Sequence, residues 1–180
     1  IDEDYIIKNK DAIIKEIIAG KIFIYPTDTI YGIGCNASNE DSISKIRILK
    51  RRETKPFSII IPHIHWIKDN CLINEEIEKH LEKLPGAYTF FLNLKDKETI
   101  SENVNPKGDG TVGVRIPDHW FAELIAEANV NFITTSVNLA GQPYMTSLEN
   151  LEETIKNGVD YIVYEGPITG RESIKIDLRH

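Results

Sequence analysis

Apolar residues recur along the chain with two different spacings, one typical of helices and the other of buried strands. Near the start, isoleucines repeat at helical spacing until Gly20, and the run Lys21–Tyr25 that follows is β-branched and aromatic. The first pattern predicts a helix with one apolar face, and the second predicts a buried strand. The isoleucines of the helix are Ile6, Ile7, Ile13, Ile14, Ile17 and Ile18.

Helices and strands are predicted to alternate through the rest of the chain. Helical spacing recurs in Asp41–Leu49, Glu75–Leu84, His119–Ala128 and Leu148–Lys156. Strand-like runs occupy Phe57–Ile61, Tyr88–Leu94, Val112–Ile116, Phe132–Thr134, Tyr161–Tyr164 and Ser173–Leu178. This alternation indicates an α/β fold, and the neighbouring strand candidates around residues 90 and 114 indicate a mixed sheet.

Length and composition favour a globular protein. A chain of 180 residues with 41% hydrophobic and 27% charged residues is typical of one compact domain, so we expect a single domain over residues 1–180. The apolar runs are too short to span a bilayer and no cleavable signal opens the chain, which predicts a cytoplasmic protein without membrane contact. Cys35 and Cys71 lack paired spacing, so we interpret both as reduced thiols rather than metal or redox sites.

Charge is distributed unevenly along the chain. The formal net charge of −7 argues against attraction of the whole surface to nucleic acid, so any anion site must be local. The segment Lys45–Lys55, called the basic segment below, holds six basic residues and a single acid. Lys45 and Arg47 are interpreted as part of a solvated helix face. Lys50, Arg52 and Lys55 cluster where the helix ends, where they suit a triphosphate or an RNA backbone.

Polar groups also gather at the ends of predicted strands. The segments Tyr25–Gly34 and Thr134–Gly141 each leave an apolar strand and present hydroxyls at once, a position where α/β proteins bind ligands. Taken alone, each is more typical of a turn or a helix cap. Gly32 and Gly34 would let the backbone approach a ligand closely or adopt positive φ. Arg115, inside a strand, requires an anionic partner, either a structural acid or a substrate carboxylate.

Taken in order, these segments resemble the YrdC family of threonylcarbamoyl-AMP synthases. The family motifs are Tyr-Pro-Thr-Asp/Glu-Thr-x-Tyr-Gly-Leu-Gly, Lys-x-Arg, Pro-Gly-Pro-x-Thr, Val-x-Val-Arg-x-Pro, Ser-x-Asn and a late Ser. The matching residues are Tyr25–Gly34, Lys50-Arg51-Arg52, Pro85–Thr89, Val112–Pro117, Ser136-Val137-Asn138 and Ser173. The resemblance runs from about Ile22 to Asp177, which is almost the whole chain.

The resemblance implies a YrdC-like fold, a twisted mixed sheet flanked by helices with a concave, positively charged cleft. It implies a nucleotidyltransferase that joins L-threonine, bicarbonate or CO₂ and ATP into threonylcarbamoyl-AMP and pyrophosphate, for N6-threonylcarbamoyladenosine modification of tRNA. Mg²⁺ would enter with ATP rather than through protein ligands. The product would be handed to a tRNA threonylcarbamoyl transferase complex.

The resemblance also implies roles for individual residues. The ATP contacts would be Lys50, Arg52, Lys55, Thr111, Asn138 and Thr146. The threonine contacts would be Thr27, Thr29, Arg115, Ser136 and Ser173. Lys50 and Arg52 would also be catalytic, because cations near the leaving pyrophosphate stabilise its developing charge.

The chain departs from the family pattern at several positions. Ile60 stands where many members have His, Ala87 replaces the second Pro of Pro-Gly-Pro, and Ala140 stands where Ser is common. The chain ends at His180, before the terminal strand that usually carries another nucleotide-contacting Arg, and we expect no additional C-terminal domain.

Two other functions stay open from the residues. One is a non-catalytic RNA-binding or ribosome-associated module, with direct tRNA binding through the basic segment. The other is a related carbamoyl-adenylate enzyme with another acceptor, chosen near Ile60 and Ala140. The net charge and the neutral hydroxyls at the strand ends favour a small-ligand pocket over the RNA module.

Overall fold

A computed structural model describes all 180 residues, and these form seven α-helices and eight β-strands. The helices are α1 (Glu3–Lys8), α2 (Lys10–Ile18), α3 (Glu40–Lys50), α4 (His65–Asn70), α5 (Glu75–Leu81), α6 (Trp120–Ala128) and α7 (Glu153–Gly158). The strands are β1 (Phe23–Tyr25), β2 (Gly32–Gly34), β3 (Ser58–Ile60), β4 (Tyr88–Asn93), β5 (Thr111–Arg115), β6 (Phe132–Ser136), β7 (Tyr161–Ile162) and β8 (Ile174–Asp177). The longest helix, α3, has 11 residues, and no helix meets the length and apolarity that crossing a bilayer requires.

The eight strands form one mixed sheet in the order β7-β1-β2-β6-β3-β5-β4-β8. Three neighbouring pairs are parallel, namely β1 with β7, β3 with β5 and β4 with β8. The other four pairs are antiparallel. The predicted α/β fold with a mixed sheet is therefore confirmed.

Helices pack on both faces of the sheet, because side chains alternate between the faces along each strand. In β1, Ile24 points to a cluster of 27 buried residues that includes apolar positions of α3, α4, α5 and α7. Its neighbours Phe23 and Tyr25 belong to a separate cluster of 12 buried residues, which includes apolar positions of α1, α2 and α6.

The face covered by α1, α2 and α6 is only half covered. In β6, Phe132 packs in the smaller cluster, whereas Thr134 and Ser136, two and four residues further on, line an open cavity. In β3 the same change occurs between Ile60, which is buried in the cluster, and Ser58, which lines the cavity. The exchange of apolar for small polar side chains along one face thus creates the concave surface.

The structure corrects several predicted elements. The first helix is two helices, since the Asn9 N–H bonds to the carbonyls of Tyr5 and Ile6 and ends α1. This break turns Ile7 outward, where 63% of it is exposed. The pattern missed β2 and α4, and the segment predicted as a helix from residue 148 begins with a 3₁₀ turn before α7.

Candidate active site

The uncovered half of the sheet is the floor of a cavity of about 310 Å³. Most of the residues predicted for substrate binding line it. These are Thr27, Thr29, Arg52, Lys55, Thr111, Arg115, Ser136 and Ser173. Lys50, Asn138 and Thr146 are not part of the lining.

The turn between β1 and β2 is stabilised by the hydroxyl of Thr27. Its Oγ1 accepts the N–H groups of Thr29 (3.0 Å) and Ile30 (3.2 Å) and donates to the carbonyl of Ile30 at 2.6 Å. Thr27 is therefore engaged mainly by its own turn. The hydroxyl of Thr29 lies 3.1 Å from that of Thr27 and 3.4 Å from Nη1 of Arg115. The end of the cavity at Arg115 is called the inner end below.

Arg115 is the last residue of β5 and is almost fully buried. Its Nη2 donates to Oδ1 of Asp28 at 2.7 Å, and the second carboxylate oxygen accepts the N–H of Asp118 at 3.0 Å. Its Nε points to the carbonyl of Tyr88 at 3.4 Å. A structural acid therefore neutralises Arg115, while the guanidinium also lines the cavity.

Arg52 and Lys55 bring positive charge to the cavity from the segment after α3. The guanidinium of Arg52 stacks on the ring of Phe57 at 4.7 Å and donates to Oγ1 of Thr135 at 3.0 Å. Burial, and the nearby charge of Arg47, lower the pKa of Arg52 to about 10. Lys55 is exposed and forms no ion pair. Binding of an anion therefore costs less side-chain entropy at Arg52, which is already held in place, than at Lys55, which must become ordered.

The sequence analysis assigned Arg47 to a solvated helix face, and this prediction is wrong. Arg47 is buried beneath the basic segment and stacks on Phe57 at 4.2 Å. Its guanidinium donates to the carbonyls of Asn103 (2.6 Å) and Lys55 (3.0 Å). Arg47 therefore ties the basic segment to the loop that precedes β5.

Lys50 is buried below the cavity wall, with 1% of its surface exposed. Its ammonium donates to Oδ1 (2.8 Å) and to the carbonyl (3.0 Å) of Asn138, and also to the carbonyl of Ser136. Burial, and then the charges of Arg52 and Lys55, lower its pKa to about 7. The Ser136 hydroxyl donates to the same Asn138 oxygen at 2.7 Å. Lys50 thus holds the end of β6, from which Ser136 reaches the cavity.

The connection from β7 to β8, Val163–Ser173, is called the strap below. Because β7 and β8 are the two edges of the sheet, the strap crosses seven strand spacings, or about 34 Å. The strap passes over the concave face on its way, since Glu172 and Ser173 line the cavity.

Contacts along the strap hold it over the turn between β1 and β2. The hydroxyl of Tyr31 donates to the carbonyl of Gly166 at 2.6 Å. A Cβ on Gly170 would lie 2.3 Å from the carbonyl oxygen of Thr29, so this close approach requires glycine. Thr146 accepts the N–H of Ile168 at 2.8 Å, which places Thr146 below the strap. At the end of the strap, the hydroxyl of Ser173 lies 2.6 Å from that of Thr89 on the cavity floor.

Gly32 and Gly34 have no positive φ, and their closest neighbours belong to the protein itself. A Cβ on Gly32 would lie 2.8 Å from the Tyr25 ring, and a Cβ on Gly34 would lie 1.7 Å from the carbonyl oxygen of Ile133. These glycines therefore permit close strand and side-chain packing. Of the two, Gly32 also lines the cavity.

Several charged residues of the cavity were missed by the sequence analysis. The cations are Lys107, Lys175 and Arg179, and the acids are Asp109 and Glu172. The spacing could have revealed Lys175, because it lies two residues after Ser173 and so on the same face of the predicted strand Ser173–Leu178. Arg179 lies just beyond that strand. An arginine thus does line this part of the cavity, although none was expected so near the end of the chain.

Of these charged residues, Arg179 and Asp109 already have protein partners. The guanidinium of Arg179 binds both carboxylate oxygens of Asp177, at 2.9 and 2.7 Å, and lowers the pKa of Asp177 to about 2. Oδ1 of Asp109 accepts the hydroxyl of Thr111 at 2.7 Å and the amide of Asn105 at 2.8 Å, which lowers the Asp109 pKa. Both pairs are formed between residues close in sequence. They lie at the end of the cavity near Thr111, which is called the outer end below.

Two positions that depart from the family pattern do not line the cavity. Ile60 is 1% exposed and packs in the smaller cluster, next to the floor but not on it. Ala140 is exposed, and its N–H donates to the carbonyl of Lys50 at 2.8 Å. No group of three His, Cys, Asp or Glu side chains is arranged to hold a metal ion.

Comparisons with known proteins identify the family of the chain. The sequence model of the Sua5/YciO/YrdC family, described as telomere recombination, matches residues 15–178. A putative threonylcarbamoyl-AMP synthase of Methanocaldococcus jannaschii is 37% identical over 152 residues, which cover 83% of this chain and 70% of the relative. A threonylcarbamoyl-AMP synthase of Vibrio campbellii is 29% identical over 170 residues, which cover 91% of this chain and 90% of the relative.

A solved structure, P. abyssi Sua5 complexed with L-threonine, superposes with a TM-score of 0.82 at 30% identity. The superposition covers 93% of this chain and 50% of the Sua5 chain, so the chain spans about half the length of that relative. The family match covers nearly the whole chain, and the fold and the motif residues agree with it. The chain therefore belongs to the Sua5/YciO/YrdC family.

Proposed function

We propose that this protein is a threonylcarbamoyl-AMP synthase, which converts L-threonine, bicarbonate or CO₂ and ATP into threonylcarbamoyl-AMP and pyrophosphate. The observation that carries the proposal is that one cavity joins two chemically different ends. Its inner end has hydroxyls around a neutralised arginine, and its outer end has cations without acidic partners. An amino acid and a polyphosphate can bind side by side in such a cavity. The relatives' names support the same reaction.

The inner end suits an amino acid zwitterion. Because Asp28 neutralises Arg115, this end carries little net charge, yet the guanidinium can still donate to a carboxylate. The hydroxyl of Thr29, 3.4 Å from Arg115, and that of Ser173, next to Thr89, provide further donors and acceptors near it, and Ser136 lines the same cavity. Threonine, whose two charges cancel and whose side chain has one hydroxyl, fits this combination.

The outer end suits the phosphates of ATP. Arg52, Lys55 and Lys107 line the cavity without an ion-pair partner within 4.0 Å. Like charges this close repel one another until an anion binds, so a triphosphate with its Mg²⁺ would relieve that cost. Mg²⁺ would be coordinated mainly by the phosphate oxygens.

The reaction follows from this arrangement. The threonine ammonium first loses a proton to solvent, and the free amine adds to CO₂ and loses a second proton to give an N-carboxylate. An oxygen of this carboxylate then attacks the α-phosphorus of ATP as the bond to pyrophosphate breaks. Negative charge grows on the leaving pyrophosphate, and the fixed guanidinium of Arg52 together with Lys55 stabilises it. Lys50 and Asn138 act from below the wall by holding Ser136, so we assign them a positioning role. The protein contributes alignment and charge, as expected for phosphorus chemistry without a covalent enzyme intermediate.

The test is pyrophosphate release from ATP, with threonine and bicarbonate each omitted in turn. We expect release to require both, and threonylcarbamoyl-AMP to be detected by mass spectrometry. Pyrophosphate release that does not depend on threonine would contradict the proposal. Under the RNA-binding alternative there would be no threonine-dependent release, and binding would weaken steeply with salt.

The product's use in tRNA modification, its transfer to a tRNA threonylcarbamoyl transferase complex and a cytoplasmic location are parts of the same proposal. We also propose that residues 1–180 act as one domain, since one sheet includes strands from residue 23 to residue 177. Neither Ile60 nor Ala140 lines the cavity, so no cavity residue favours a different acceptor.

A further inference from the structure

Glu172 is a carboxylate without a partner in a cavity that is rich in cations. It lies on the strap next to Ser173 and lines the cavity, yet it forms no ion pair within 4.0 Å and no side-chain hydrogen bond. Burial lowers the pKa of Lys50, and the Glu172 carboxylate opposes that shift. Glu172 is exposed to solvent on the lining of the cavity, so its carboxylate is free to meet a ligand there.

Strand register brings Glu172 near the inner end of the cavity. Phe90 of β4 pairs with Val114 of β5, so Thr89 and Arg115 are the next opposing positions. The hydroxyl of Thr89 lies 2.6 Å from that of Ser173, the residue that follows Glu172. By register Arg115, Thr89 and Lys175 form one row across the sheet, and the end of the strap reaches this row through the contact of Ser173 with Thr89.

An amino acid that binds through its carboxylate at this row has its ammonium only two covalent bonds from the carboxylate carbon. The ammonium then needs an anion nearby, because burying a charge without a partner is costly. Asp28 is already paired with Arg115 and the N–H of Asp118, and it does not line the cavity. Asp109 lies beside Thr111, four residues before Arg115 on β5 and thus about 13 Å away. Glu172 is the remaining acid of the lining.

We propose that Glu172 binds the α-ammonium group of the substrate and so makes the cavity selective for α-amino acids over hydroxy acids of the same shape. This inference rests on the proposed function and adds the residue that recognises the amino group. In the synthase it would hold this nitrogen beside Ser173 until the ammonium loses the proton that it must release before it can attack CO₂.

The test uses two ligands that differ only in the amino group, L-threonine and 3-hydroxybutyrate. Their affinities are measured by isothermal titration without bicarbonate and with a non-hydrolysable ATP analogue present. The proteins are the full chain and its variants Glu172→Gln and Glu172→Asp. The exposed Glu123→Gln on α6 removes the same charge away from the cavity and is the matched control. Unfolding midpoints show that each variant is folded.

We expect Glu172→Gln to weaken threonine binding roughly 10- to 100-fold, the scale for losing a hydrogen bond to a charged group. Binding of 3-hydroxybutyrate should stay unchanged or improve, Glu172→Asp should recover part of the threonine affinity, and Glu123→Gln should match the wild type. Equal losses for both ligands, or no loss of threonine affinity, would overturn the role of Glu172 while leaving the proposed function intact. If the wild type itself binds no threonine, the proposed function fails, and this role with it.

Discussion

Lys50 provides the sharpest quantitative test of the structure. Replacing it by methionine removes an ammonium that is 1% exposed and whose pKa lies at about 7 instead of the ordinary 10.5. Between these two pH values the unfolded chain binds one more proton than the folded chain. The free energy of unfolding of the wild type should therefore rise with pH in this window, by about 1.4 kcal/mol per pH unit, relative to a variant without the amine.

The whole shift in pKa corresponds to about 5 kcal/mol, and roughly half of this change falls between pH 7.5 and 9.5. Because Lys50 is almost completely buried, solvent screening reduces these values little. The absolute stability of Lys50→Met is less informative. The variant is freed from a buried charge but removes this donor from the backbone carbonyls of Ser136 and Asn138.

The assay is urea unfolding at several pH values from 7 to 9.5 for the wild type, Lys50→Met and Lys45→Met. Lys45 is exposed on the same helix, so its variant controls for the loss of a surface charge. The difference in unfolding free energy between the wild type and Lys50→Met should grow with pH, whereas Lys45→Met should follow the wild type. Parallel curves for the wild type and Lys50→Met would refute the reasoning, because Lys50 would then keep its charge throughout.

Three further predictions concern the cavity and the turn after α3. Arg52→Ala should slow pyrophosphate release by about 10²–10³, because a preorganised cation near the leaving group is lost, and it should reduce the thermal stabilisation by Mg·ATP. A wild-type rate would remove Arg52 from the phosphate site. Arg115→Lys should raise the KM for threonine more than that for ATP, since one ammonium cannot both pair with Asp28 and grip a carboxylate at two points. An unchanged threonine KM would make Arg115 purely structural. Arg51→Gly should raise the free energy of unfolding by up to about 1 kcal/mol in urea, because Arg51 has a φ of 54° at the helix end. Asn129→Gly, at the same φ of 54°, is the control and should gain less, since Asn tolerates this conformation; equal gains would mean that the left-handed backbone of Arg51 carries no extra strain.

Much of the fold could be predicted because apolar residues recur along its helices and strands at regular spacings. The core strands appear as short β-branched runs, and α6 appears as an apolar face of regular spacing. The missed strand β2 is Gly-Ile-Gly, which has no propensity of its own and is a strand because β1 and β6 pair with it on both sides. Such an element depends on tertiary contacts, and these are not visible in its own sequence.

The cavity was harder to predict than the fold. The buried Arg47 and the exposed Lys55 lie in one basic segment, and only the packing of Phe57 and Asn103 against Arg47 separates their roles. Glu172 and Arg179 reach the cavity because the strap crosses the whole sheet to the edge strand β8, a long-range connection that no local pattern records.

Lys50 and Asn138 belong to the sequence motifs but do not line the cavity, so their role is to hold the residues that do. The last residue of α3 and the end of β6 lie far apart in the chain, yet the Lys50 ammonium joins them through Asn138 and the carbonyl of Ser136. An amine held by three buried acceptors cannot also extend to a ligand without breaking those bonds, at a cost of about 1–3 kcal/mol for each stranded group. The motif therefore identifies a cluster that acts together, in which Ser136 and Arg52 face the substrates and Lys50 keeps them in position.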